Sequence, residues 1–152
     1  MDIRHDDLTH PAIHALLEEH MAGMRALSPP ECVFALDLDK LRDPSISFWS
    51  AWDGATLLGC GALREIDTRH GEIKSMRTPD ALRRRGAGKA ILQHIVAVAR
   101  ARGYQRLSLE TGATPGFEAA HALYLGAGFV ETGPFGSYQA DPFSRFYTRA
   151  LG

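Results

Sequence analysis

Cysteine is scarce in this chain, and what there is forms no pattern. Among 152 residues only Cys32 and Cys60 occur. They stand outside any CxxC or other metal-ligand spacing, which argues against a zinc ribbon or a disulfide-stapled scaffold and leaves no metal to expect. Cys60 falls in an apolar, strand-like run and reads as a buried thiol. No apolar stretch approaches the roughly 20 residues that a membrane-spanning helix needs. The opening Met1-Asp2-Ile3-Arg4-His5-Asp6-Asp7 is too polar and acidic for a secretory signal, so a cytoplasmic location is expected. An excess of one charge is missing too: 17 Lys and Arg stand against 18 Asp and Glu. No whole-molecule field draws the chain to nucleic acid, and its basic residues must act locally. No repeat, low-complexity tract or linker divides the sequence, and one domain over residues 1–152 is expected.

What is there reads as alternating helices and strands. Ile3 to Asp6 predicts a short strand. Pro11 to Arg25 predicts a helix: Pro11 suits its first turn, and Ile13, Leu16, Leu17, His20, Met21 and Met24 recur at helical spacing. Ser28-Pro29-Pro30 ends it, and Ala35 to Arg42 predicts a second, short helix. Ser47 to Trp52 and Thr56 to Glu65 read as strands joined at Asp53-Gly54, a strong hairpin signal. Another turn at Thr68 to Gly71 leads to a strand over Glu72 to Thr78. Ala90 to Arg102 predicts an amphipathic helix closed by Gly103. A strand over Leu107 to Thr111, a helix over Phe117 to Ala127, and strands at Phe129 to Thr132 and Arg145 to Leu151 follow. The order implies an α/β fold, a mixed sheet with one parallel crossover.

Between the third of the meander strands and the long helix lies Arg83-Arg84-Arg85-Gly86-Ala87-Gly88-Lys89. A glycine-rich turn feeding a helix N-terminus offers free backbone N–H groups at the positive end of a dipole, which suits a diphosphate. A P-loop fails here, because the first Gly of G-x-x-x-x-G-K-[ST] would be Arg83 and its hydroxyl would be Ala90. A dinucleotide fingerprint fails at Ile91, where a small residue is needed, and antiparallel strands precede the turn. The pattern [QR]-x-x-G-x-[GA] fits Arg83 to Gly88.

That pattern resembles motif A of the GNAT superfamily of acetyl-CoA-dependent N-acetyltransferases. A second block, Ala120-His121-Ala122-Leu123-Tyr124-Leu125-Gly126-Ala127-Gly128-Phe129, is similar to the superfamily's A-x-x-L-Y-x-x-x-G-F signature. One helix and one strand separate the blocks, as in the family. Glu72 to Thr78, Leu107 to Gly112 and Asp141 to Ser144 further resemble a YsnE-type branch. The resemblance implies the GNAT fold: a central, mostly antiparallel twisted sheet of six to seven strands, helices on both faces, and a splayed parallel pair forming the acetyl-CoA cleft. It also implies an N-acetyltransferase that moves an acetyl group from acetyl-CoA to a primary amine by direct attack in a ternary complex. Both cysteines lie outside the motif blocks, so no acyl-enzyme is expected.

Site residues follow from the same resemblance. The amides from Arg84 through Arg85, Gly86, Ala87 and Gly88 to Lys89 would hold the diphosphate, with Arg83, Arg84 or Lys89 adding charge. Main-chain amides at Met76, Arg77 or Thr78 would face the thioester carbonyl as an oxyanion hole. Tyr124 would protonate the departing thiolate, and Glu72 or Glu110 would accept the amine's proton. The Asn that many relatives place before the last helix is missing, and Thr111, Gly112 or Phe117 would line the cofactor instead. Met21 to Leu36 and Phe135 to Phe146 would build the acceptor site, with Glu31, Asp37 and Asp141 to attract a cationic amine. The expected partner is a small-molecule or peptide amine, not nucleic acid or a membrane, and a homodimer is compatible. The alternative is a catalytically silent acyl-CoA-binding sensor. No residue pattern names the amine.

Overall fold

The computed structural model describes residues 1–30, 38–79, 82 and 85–151. Its elements run β1 (Asp2–His5), α1 (Pro11–Leu27), α2 (Leu38–Leu41), β2 (Ile46–Asp53), β3 (Thr56–Asp67), β4 (His70–Arg77), α3 (Ala87–Ala101), β5 (Arg106–Gly112), a short 3-10 turn (Pro115–Phe117), α4 (Glu118–Gly126), β6 (Val130–Thr132) and β7 (Ser144–Ala150). The strands form a seven-stranded sheet in the order β1-β2-β3-β4-β5-β7-β6. Every neighbouring pair is antiparallel except β4 and β5. Asp53 pairs with Thr56 across a tight two-residue turn, where Gly54 takes φ +57°, a value that suits glycine at the first position.

Helices cover both faces. Ile13, Leu16 and Leu17 of α1 pack with Leu41, Phe48, Trp52, Cys60 and Ala62 on one face. Ile91, Leu92, Ile95 and Ala99 of α3 and Tyr124 of α4 pack with Leu63, Ile73, Leu107, Leu109 and Tyr147 on the other. Each fully buried aliphatic side chain contributes roughly 1.5–3 kcal/mol, so these two stripes fix where the helices sit. His10 is exposed and caps α1: its Nδ1 accepts the Ala12 N–H at 3.0 Å.

The parallel pair does not stay together. β4 and β5 match only as His70 with Arg106, Gly71 with Leu107 and Glu72 with Ser108. Beyond that point β4 stays with β3 through Cys60 and Arg77, while β5 stays with β7 through Glu110–Phe146 and Gly112–Ser144. A wedge therefore opens between Ile73–Arg77 and Leu109–Gly112.

A bulge in β4 accompanies the parting. Cys60 pairs with Arg77 but Ala62 with Lys74, so three steps along β4 oppose two along β3. Ser75 carries the distortion at φ +55°, a conformation that costs a non-glycine residue roughly 1–3 kcal/mol. Gly61 makes room for it, since a Cβ there would stand 2.6 Å from Met76 Sδ and 2.8 Å from Ile91 Cγ2.

Two boundaries differ from expectation. α3 starts at Ala87 rather than Ala90, so Gly88 and Lys89 belong to its first turn and not to the loop. α2 spans Leu38–Leu41, and the remainder of its predicted N-terminal half lies outside the described residues.

Candidate active site

The N-terminus of α3 lies at the crossover from β4 to β5. Gly86 precedes it at φ +82° and supplies no side-chain cap, and its first turn carries no acidic residue. The ladder begins with Ala90 N–H on the Gly86 carbonyl at 3.0 Å, so the amides of Ala87, Gly88 and Lys89 precede it. Arg85 and Lys89 are exposed beside them, and a Cβ on Gly88 would meet Leu123 of α4 at an ordinary 3.5 Å. Arg83 and Arg84 lie outside the described residues, as do Cys32, Glu31 and Asp37. Uncapped amides with the exposed Arg85 and Lys89 beside them fit a diphosphate.

At the bulge, the buried Cys60 acts as a clasp. Its thiol donates to the Ser75 carbonyl at 3.3 Å and its sulfur receives the Arg77 N–H. Burial pushes this thiol up to about 12. The Arg77 amide is thus turned toward β3, away from the wedge. Met76 and Thr78 are half-buried at the mouth, with Met76 Sδ packed on Gly61 and Thr78 Cγ2 on Gly59 of β3.

Glu72 is 1% exposed, so a solvent-facing role is ruled out. Its carboxylate receives Lys74 Nζ at 3.3 Å and Arg64 at 3.4 Å. The Tyr138 hydroxyl donates to it at 2.5 Å and accepts from Lys74 Nζ at 2.9 Å. Tyr138 comes from the connection between β6 and β7, where it packs with Phe135 and Phe146 at ring separations of 5.1 and 5.5 Å. Burial first, then Glu72, holds the Tyr138 phenol far above its ordinary value.

Glu110 stands two residues past Ser108, on the same face as Glu72 and within the wedge. It is half-buried, and its carboxyl is raised to about 7: burial is the main cause, and Asp141 and Glu72 add to it against the pull of Lys74. Tyr124 is buried on α4, its ring 6.0 Å from Phe129 and 6.3 Å from Tyr147. Burial, and then the negative field of Glu110, raise its phenol well above the usual range.

The far end of β5 is pinned by residues whose spacing alone said little. His121 is buried and bonds the Gly112 carbonyl through Nε2 at 2.6 Å, so it is a strut for the strand. Phe117 lies on Gly112, where a Cβ would fall 2.0 Å from the ring. Thr111 is buried beside it. At the closed end, His70 Nε2 meets Ser108 Oγ at 2.7 Å, and Ser108 meets Thr148 Oγ1 at 2.9 Å. Lys74, Arg64 and the Ser108 chain were not singled out from sequence. A β-strand with Glu and Lys two apart was the available signal, since period two puts both on one face.

Residues 13–129 match the model of the acetyltransferase (GNAT) family. The chain is 54% identical over 151 residues to the uncharacterized N-acetyltransferase YsnE of Bacillus subtilis, covering 99% of this chain and 100% of that one. It is 52% identical over 149 residues to the uncharacterized N-acetyltransferase YedL of Escherichia coli, covering 98% and 94%. A proposed acyl-CoA N-acyltransferase of Klebsiella pneumoniae shares the fold at a TM-score of 0.80 and 26% identity, over 99% of this chain and 97% of that one. A GNAT family acetyltransferase of Elizabethkingia anophelis, solved with acetyl-CoA bound, does so at 0.68 and 17%, over 98% and 97%. This chain belongs to the acetyltransferase (GNAT) family, and is an acyltransferase of the N-acetyltransferase kind.

Proposed function

We propose that one N-acetyltransferase domain over residues 1–152 moves an acetyl group from acetyl-CoA to a primary amine by direct attack in a ternary complex. The parting of β4 and β5 beyond Glu72 and Ser108 carries this reading, because it opens a slot leading from the α3 N-terminus to Glu110 and Tyr124. Ala87, Gly88 and Lys89 would hold the diphosphate through their amides, with Arg83, Arg84, Arg85 and Lys89 supplying charge at the rim. Phe117 and Thr111 would line the slot on the β5 side. Acetyl-CoA supplies an activated thioester carbonyl.

Each step then falls to a residue of the chain. Glu110 is the base: a carboxyl near 7 is partly ionised at neutral pH and basic enough to take a proton from an ammonium. Glu72 is assigned a positioning role, since two cations and a tyrosine hydroxyl already occupy its oxygens. The amides of Met76 and Thr78 polarise the carbonyl; the Arg77 amide is engaged by Cys60. Tyr124 keeps its proton under burial and the Glu110 field, and delivers it to the departing sulfur. The same desolvation that raises the phenol raises a thiolate's basicity, which keeps donor and acceptor matched.

The acceptor is a small-molecule or peptide amine, entering from the side of Phe135, Tyr138 and Phe146. A cytoplasmic setting suits a buried free thiol, and among the described residues no helix is long and apolar enough to cross a membrane. Free-thiol release from acetyl-CoA, measured across an amine panel, tests the reading. Turnover with at least one amine is the expected result. Tight acetyl-CoA binding without turnover on a broad panel would instead favour a sensor.

A further inference from the structure

Ser144 opens β7 on the same face as Glu110. The register sets Gly112 against Ser144 and Glu110 against Phe146, so the serine is the diagonal cross-strand neighbour of the glutamate. Such diagonals lie about 7–8 Å apart, within reach of a side chain as long as Glu. The turn before β7 fixes the serine there. Asp141 Oδ1 accepts the Phe143 N–H at 2.7 Å, the Ser144 N–H reaches the Asp141 carbonyl at 3.4 Å, and the Phe143 carbonyl accepts the Ala113 N–H at 2.9 Å. Opposite Ser144 on β5 stands Gly112, and the Phe117 ring fills the place its side chain would take.

In that corner Ser144 Oγ is buried and has no closed hydrogen bond among the described residues. An unpaired buried hydroxyl is costly, so an acceptor within reach matters. Glu110 is that acceptor: burial raises its carboxyl to about 7, and the Ser144 hydroxyl, acting as a donor, pulls the other way. The two groups therefore face each other across a gap a little too wide for a closed bond. A neutral carboxyl gains little by closing it, whereas a carboxylate gains a charge-assisted bond. Lys74 and Glu72 of β4, Asp141 and Tyr138 of the β6–β7 connection, and Tyr124 of α4 share the field of Glu110. Of these, Lys74 Nζ and the Tyr138 hydroxyl are committed to Glu72, and Asp141 to its own turn.

We propose that Ser144 is a positioning residue for the base: its hydroxyl closes onto the Glu110 carboxylate and holds it in the aim and charge state that accept the amine's proton. This rests on the acetyl-transfer reading with Glu110 as base, and deepens it. In the step itself an ammonium N–H bond breaks, its electron pair stays on nitrogen for attack, and the proton forms an O–H bond on Glu110. Ser144 keeps its own proton and acts through Glu110 alone.

The test follows kcat/KM against pH by thiol release from acetyl-CoA, with one amine throughout so that the amine's own ionisation cancels between variants. In parallel, the Glu110 carboxyl is titrated directly by NMR of labelled glutamate, with Glu110→Gln supplying the assignment. Ser144→Ala should move both the rate limb and the NMR midpoint up by about one pH unit. The rate should then fall about fivefold at pH 7 and return to within about twofold of wild type at pH 9. Ser144→Thr keeps a hydroxyl and should stay near wild type, and Ser144→Ala should add nothing in a Glu110→Gln background. If neither limb nor midpoint moves in Ser144→Ala, the proposal alone is overturned, as it is by a rate loss equal at every pH. A midpoint that moves while the rate limb stays shows that Glu110 is not the base, and the proposal falls with that reading.

Discussion

The Tyr138 hydroxyl donates to Glu72 Oε2 at 2.5 Å while accepting from Lys74 Nζ at 2.9 Å. This triangle ties the connection between β6 and β7 to the middle of β4, immediately beside the point where the parallel strands part. It makes Glu72 a fixed anion that holds the acceptor wall together.

Removing that anion strands a buried ammonium. Glu72→Ala should therefore cost roughly 3–5 kcal/mol, whereas Tyr138→Phe, which deletes one hydroxyl, should cost about 1–2 kcal/mol. Urea denaturation of the two variants checks both values. A Glu72→Ala chain with unchanged stability and abolished turnover would return Glu72 to the role of base.

Glu110 predicts a pH profile. Its carboxyl is raised from 4.5 to about 7, so the fraction able to accept a proton, and with it kcat/KM, should climb through pH 7. Glu110→Gln should flatten that limb and lower the rate by about 10²–10⁴-fold. The sign for stability is opposite. The folded state holds this proton more tightly than the unfolded state, so the wild type loses stability as pH rises between 4.5 and 7. Above that window Glu110→Gln should be the more stable chain, by roughly 1–3 kcal/mol. Rate and denaturation profiles from pH 5 to 9 read both effects, and a limb that persists in Glu110→Gln would point to another base.

The Cys60 clasp predicts inertness. With its thiol pushed up to about 12 and buried, it carries almost no thiolate at pH 8. In a Cys32→Ser background the native chain should resist a disulfide reagent that modifies it at once after unfolding. Cys60→Val, which removes both the donor to Ser75 and the acceptor for Arg77 N–H, should cost about 1–3 kcal/mol. Fast labelling of the native chain would contradict the clasp.

Much of this architecture was legible in the sequence, for physical reasons that can be named. The α1 and α3 stripes repeat with helical period, Asp53-Gly54 announces its hairpin, and a glycine turn before a helix marks an anion site at any reading. Burial of Glu72 was not legible. An acidic residue just after a turn is ordinarily solvated, and only the return of Tyr138, from far along the chain, takes it out of water. The Ser144 and Glu110 pairing was hidden for the same reason, since it depends on the register of β7 against β5. His121 stood one turn from Tyr124, yet its role is set by a carbonyl on β5. The α3 boundary was missed because the glycines on either side of Ala87 weaken the local helical preference, and packing against Leu123 and the core draws the segment in.

The central claim is that this slot transfers an acetyl group with Tyr124 as the acid, and Tyr124→Phe tests it most directly. The substitution removes a single oxygen from a buried ring and keeps its packing on Phe129 and Tyr147. Thiol release from acetyl-CoA with a competent amine should fall by about 10²–10³-fold, with acetyl-CoA still raising the melting temperature. Turnover equal to wild type would contradict the account.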